Sequence, residues 1–99
     1  MAIRNAYSDT FTGEADENIR EILFGSEGNK KSEHLKRVLV RVVQNELTPR
    51  QKEVIEMYYF RRMNITEIGE VLEITPQAVS ALMSRARLKI FRILRYYVQ

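Results

Sequence analysis

Apolar residues recur with helical spacing along most of this chain, and the pattern is sharpest after Lys30. Leu35, Val38, Leu39, Val42 and Val43 fall at i, i+3, i+4, i+7 and i+8, the stripe of an amphipathic helix, and Leu47 ends the run. Thr48-Pro49-Arg50-Gln51 then reads as a helix start. The hydroxyl serves as N-cap, the proline sits where its missing N–H costs nothing, and the Gln has the spacing to bond back to the cap. The second helix predicted from there carries Val54, Ile55, Tyr58 and Tyr59 on one side. Asn64 and Glu67 repeat the cap-and-partner spacing ahead of a short third helix with Ile65, Ile68, Val71 and Leu72. Thr75-Pro76 opens a fourth, running towards Val98, which at about 1.5 Å per residue is roughly 34 Å long. No segment has convincing strand character and no internal repeat is present. The predicted fold class is all-α, with four helices.

Residues 1–29 are patterned differently. They hold three of the four glycines and little periodicity. Ile19, Ile22, Leu23 and Phe24 make a brief apolar cluster good for one or two helical turns, and Phe24-Gly25-Ser26-Glu27-Gly28 breaks it. The predicted organisation is a short, mostly flexible N-terminal arm over 1–29 and one helical domain over 30–99.

The third and fourth helices are joined only by Glu73, Ile74 and Thr75, a joint that holds two helices at a steep angle, as in a helix-turn-helix. Gly69 falls on the inner face of the first helix of the pair, where a larger side chain would collide with the crossing helix. Ile74 plugs the joint, while Ile68, Leu72, Val79 and Leu82 close a shared core. Glu73 stands where a turn glycine is usual, and a left-handed backbone there would cost roughly 1 kcal/mol.

On a helical wheel the fourth helix divides. Val79, Met83, Ala86, Ile90, Ile93 and Tyr97 gather on one side, with Leu82 and Leu94 beside them. Gln77, Ser80, Ala81, Ser84, Arg85, Leu88, Arg92 and Arg95 lie opposite. The alternating four-and-three spacing of the apolar set is also that of a coiled-coil seam. Two uses follow: intramolecular core against the helix that starts near Lys30, or a homodimer seam. Small polar residues in the first turns of the outer side suit close approach to a groove floor. Gln77 has the groups to pair with adenine, and Ala78 or Ala81 to touch a thymine methyl. The same residues also make an ordinary soluble helix surface.

Charge adds a direction. The net charge of +3 splits into two basic against six acidic residues over 1–29, and 14 basic against seven acidic over 30–99. After Glu73 no acid occurs, while Arg85, Arg87, Lys89, Arg92 and Arg95 follow. Such asymmetry suits a polyanionic partner, as well as a solvated basic face. With 99 residues, one domain is expected. With no cysteine, neither a disulfide framework nor a thiolate metal site is proposed. No signal peptide or membrane span is read, so the expected address is cytoplasmic, without membrane association. No cofactor or metal is expected, and no catalytic residue is assigned. His34, the single histidine, lies among Lys30, Lys31 and Lys36 and reads as a surface residue. No nucleophile elbow or phosphate-cradling glycine loop accompanies it, and the Glu53/Glu56 and Glu67/Glu70 pairs read as helix surface. An enzyme is not expected.

Residues 47–60, LTPRQKEVIEMYYF, with residues 64–90, NITEIGEVLEITPQAVSALMSRARLKI, resemble region 4 of the sigma-70 family of RNA polymerase sigma factors. The closing SRARLKI is most like the extracytoplasmic-function branch. The resemblance implies a helix-turn-helix unit that binds double-stranded DNA at the −35 promoter element and docks by another surface on the flap of the polymerase beta subunit. By position it implies base contacts from Pro76, Gln77, Ser80 and Ala81. Phosphate contacts carried over are Arg62, Asn64, Thr75, Ser84, Arg85 and Arg87, to which the basic run adds Lys89. Family members often carry Arg, Lys or Gln where this chain has Ser80 and Ala81, which implies weaker base readout. Residues 1–29 are too short and irregular for the family's region 2, so a region-4-only regulator is expected, acting alone or beside a separate partner. If four or five phosphates are contacted, the slope of log K against log salt is roughly −4. A competing expectation is a protein-binding module for RNA polymerase or a sigma factor. LuxR-type output domains, which share the LTPRQKEV opening, are a second alternative.

Overall fold

Thr48, Asn64 and Thr75 each begin a helix as their spacing predicts, and the caps are made in full. Thr48 Oγ1 accepts the Gln51 N–H at 3.2 Å while Gln51 Oε1 accepts the Thr48 N–H at 3.1 Å. Asn64 and Glu67 form the same reciprocal box at 2.8 and 2.9 Å, and Thr75 Oγ1 accepts the Ala78 N–H at 3.1 Å. Each box satisfies backbone donors that the first turn of a helix leaves unpaired.

The computed structural model describes residues 14–25 and 30–97. They form α1 (Glu14–Phe24), α2 (Lys30–Asn45), α3 (Pro49–Ile55), α4 (Ile65–Leu72) and α5 (Pro76–Leu94), with a π-helical segment at Glu56–Phe60 and a 3₁₀ turn at Arg95–Tyr97. Among the described residues there is no strand, so the all-α class stands.

Among the described residues there are five α-helices, where the sequence predicts four for the chain. The cluster expected to make a turn or two is an 11-residue helix, α1, because Ile19 and Leu23 find a core to enter and are 1% and 4% exposed. Burial of two such side chains stabilises the helix by about 2 kcal/mol each. Residues 1–13 and 26–29 of the expected arm lie outside the described residues.

A second difference is the end of α3. After Ile55 the helix widens: the Arg61 N–H reaches the Glu56 carbonyl at 3.1 Å, and the Met63 N–H the Met57 carbonyl at 3.0 Å. The extra residue per turn keeps Tyr59 fully buried and Tyr58 half-buried beside it. Arg62 then reverses the chain with a φ of 59°, in the left-handed region.

Helix α5 is the spine of the domain, packing on α2, α3 and α4. Val79, Met83, Ala86 and Ile90 are completely buried and Leu94 nearly so, against Leu39, Val42, Val54, Ile55, Tyr59 and Ile68 from the other helices. From Val79 to Ile90 the four-and-three stripe is therefore intramolecular core. A homodimer would have to use another surface. The helix stops at Leu94, shorter than expected, where the last turn tightens to 3₁₀.

The joint between α4 and α5 is built on backbone. Glu73 takes φ 60° and ψ 44°, and the Ile74 N–H then donates to the Gly69 carbonyl at 2.9 Å. A Cβ on Gly69 would sit 2.7 Å from the Ile74 carbonyl oxygen, so the obstacle is the turn backbone, not a side chain of the crossing helix. Two outcomes follow, each readable by denaturant unfolding. Gly69→Ala lowers stability by about 1–3 kcal/mol, because backbone has to move. Glu73→Gly raises it by about 0.5–1 kcal/mol, because glycine adopts the left-handed conformation without a Cβ penalty.

Candidate nucleic-acid interface

The outer side of α5 begins at its capped N-terminus. Pro76 and Gln77 are exposed, Ser80 and Ala81 are half-buried, and Arg85, Leu88, Arg92 and Arg95 continue the exposed side. Gln77, Ala81, Arg85, Leu88 and Arg92 follow one another at intervals of three or four residues, so they share a face. Small side chains at 80 and 81 bring the helix backbone close to whatever meets this face, and the cations lie farther along it. The dipole of the helix adds a partial positive charge at the same end. The acid-free composition after Glu73 leaves no carboxylate on α5 to oppose an anion.

The remaining sequence-derived candidates divide. Thr75 caps α5 through its own hydroxyl. Asn64 caps α4 and is exposed, as is Arg62 in the turn before it. Ser84 is 7% exposed and faces inward, away from the stripe. Lys89 is half-buried on one flank, its Nζ donating to the Glu46 carbonyl at 3.0 Å, which ties α5 to the end of α2.

Arg87 is the clear correction. Its side chain is 1% exposed, out of reach of any phosphate. Its Nε donates to the Tyr59 hydroxyl at 2.9 Å, and its Nη2 lies 3.7 Å from Asp16 Oδ1. The wheel already left Arg87 off the outer side. The family position and the basic run after Glu73 both point Arg87 to a phosphate, and packing overrules them.

Around Arg87 is a polar cluster that sequence reading did not anticipate. Asp16 Oδ2 accepts Arg20 Nε at 2.9 Å. The Arg20 guanidinium lies 5.1 and 5.3 Å from the Tyr58 and Tyr59 ring centroids, and that of Arg87 lies 5.6 and 5.7 Å from them. The two rings meet edge to face at 4.9 Å. Three segments, α1, the π-helical turn and α5, are thereby joined through cation–π and charged contacts. Burial pushes the Tyr59 phenol above its ordinary range, with Arg87 opposing, so Tyr59 is a neutral hydrogen-bond partner. The hydrogen bond that Arg20 donates to the Asp16 carboxylate raises the pKa of the Arg20 guanidinium in the same cluster. One signal for the cluster was available: Arg87 lies one turn after Met83 and one turn before Ile90, on the core side of its helix.

Elsewhere, α2 and the π-helical segment border an open groove of about 330 Å³ lined by Val40, Val43, Gln44, Glu56, Phe60 and Arg61. Phe60 is 49% exposed and meets Phe24 edge to face at 6.2 Å. Among the described residues no group of three or more His, Cys, Asp or Glu has the arrangement of a metal site, and no helix is long and apolar enough to cross a membrane.

Residues 45–92 match the family Sigma-70, region 4. Comparison with curated proteins and with solved structures finds no match. The matched span runs from the end of α2 to the last turn of α5 and includes both capping boxes, the π-helical turn, the Gly69 joint and the outer stripe of α5. Residues 45–92 are therefore a sigma-70 region 4-like helix-turn-helix region.

Proposed function

We propose that the protein is a transcription regulator that lays the first turns of α5 into the major groove of promoter DNA. The observation that carries this reading is the acid-free outer face running from exposed Pro76 and Gln77 past half-buried Ala81 to exposed Arg85, on a helix whose opposite face is core at Val79, Met83, Ala86 and Ile90. In recognition-helix geometry the N-terminal turns meet base edges and flanking cations meet phosphates. Gln77 offers an amide to adenine, and Ala81 and Ser80 offer close approach. Arg85 and Arg92, with Arg62 from the turn before α4, neutralise phosphates. Arg87 and Ser84 take no part, and Lys89 is engaged elsewhere, so the phosphate count falls from four or five to about three. The regulator acts on a −35-like element, and with no arginine on the base-reading turns it binds weakly as a lone monomer. A dimer mate or RNA polymerase supplies the missing affinity.

A second reading has one observation in its favour. The apolar groove between α2 and the π-helical segment, with Phe60 exposed at its edge, suits docking on RNA polymerase or a sigma factor with little use of DNA. No residue that lines it belongs to α5.

Fluorescence anisotropy on random and promoter-derived duplexes at several salt concentrations separates the readings. The slope of log K against log salt is expected near −3, and Arg85→Ala reduces its magnitude by about 1. Arg87→Ala is expected to leave the slope unchanged while lowering folding stability by about 3 kcal/mol, because it strands buried Asp16 and Tyr59. Absence of duplex binding at low salt sinks the DNA reading and leaves the groove as the functional surface.

A further inference from the structure

Asp16 is where α1 meets the charged interior, and the closure it makes is incomplete. One carboxylate oxygen is bonded to Arg20, but the other stops 3.7 Å short of Arg87. That oxygen and both terminal nitrogens of Arg87 are buried with no hydrogen-bond partner. Under the same helix a residual space of about 10 Å³ lies among Ile19, Leu23, Leu39, Val43, Phe60 and Ile90. Apolar burial of Ile19 and Leu23 thus holds α1 down, while the dehydrated charges under it regain water when it leaves. A helix of 11 residues has little stability without its tertiary contacts. The main packing contact of α1 among the described helices is with α2.

The charge that α1 covers belongs to the recognition helix. Arg87 lies less than two turns beyond Ala81, and its guanidinium is gripped by the Tyr59 hydroxyl on one side and faced by Asp16 on the other. Resting on the DNA-binding reading above, we propose that α1 is a releasable latch on α5. With Asp16 closed on Arg87, α5 is held in the orientation that presents the Gln77–Ala81–Arg85 face. With α1 released, Arg87 hydrates and that orientation loosens. The coupling is reciprocal: whatever holds α1 down strengthens DNA binding, and bound DNA holds α1 down. Asp16 is a positioning residue, acting on DNA only through Arg87.

Hydrogen exchange on the full chain tests this, with and without random-sequence duplex at low salt, in the wild type, Asp16→Asn and Asp16→Glu. Asp16→Asn keeps the shape and removes the charge. It is expected to speed amide exchange about 10-fold in α1 and in the first turns of α5, and to weaken duplex binding about 5-fold. Asp16→Glu, with one more methylene to span the gap to Arg87, is expected to restore both. Duplex added to the wild type should slow exchange in α1, an arm that requires no variant to fold. Unchanged α5 exchange in Asp16→Asn overturns the latch, as does an Asn variant indistinguishable from Glu. If the wild type binds no duplex, the DNA reading falls, while the exchange of α5 still decides the latch.

Discussion

One helix has to be both the spine of the core and the exposed face, and the rest of the structure accommodates that constraint. The inner side of α5 is completely buried at Val79, Met83, Ala86 and Ile90, while the outer side carries Gln77, Arg85, Leu88 and Arg92 in the open. Such a helix cannot rotate or slide without exposing core on one side. At the N-terminus the joint fixes its stance, through the left-handed Glu73, the Ile74 bond to Gly69, the missing Cβ at Gly69 and the Thr75 cap. Farther along, it is set by Arg87.

A buried arginine is an expensive way to hold a helix. Its terminal nitrogens lack partners, and the nearest carboxylate oxygen is beyond hydrogen-bond distance. A leucine there would pack without dehydrating a charge, so stability alone does not account for it. Direction does: a guanidinium fastened to one hydroxyl and flanked by two rings has few ways to sit, whereas an apolar side chain has several. The π-helical turn belongs to the same device, because the widened register keeps Tyr58 and Tyr59 together against both arginines.

The acidic excess of the N-terminal third also takes on a more local meaning. Asp16 and Arg20 of α1 form an i,i+4 pair that engages the charged interior at a single place. The outer face of α5 and the groove beside Phe60 are built from different elements, so a DNA surface and a protein surface on this domain would not compete for residues.

The sequence by itself determined whatever depends on neighbours a few residues apart. The helix starts at Thr48, Asn64 and Thr75 and the apolar stripe of α5 follow from i,i+3 and i,i+4 geometry, and the turn at Glu73 with its glycine at 69 from a three-residue joint, all of which local spacing encodes. Only the tertiary structure decided where Arg87 points, that Ile19 and Leu23 enter the core, that α3 ends in a π turn, and that Lys89 turns to Glu46. Those outcomes hang on contacts such as Arg87 with Tyr59, 28 residues apart, and Lys89 with Glu46, 43 apart. Arginine among the apolar residues of a helix is compatible with phosphate outside or with a phenol and a carboxylate inside. The choice falls to whichever partners the fold brings within reach, and no spacing along the chain records that.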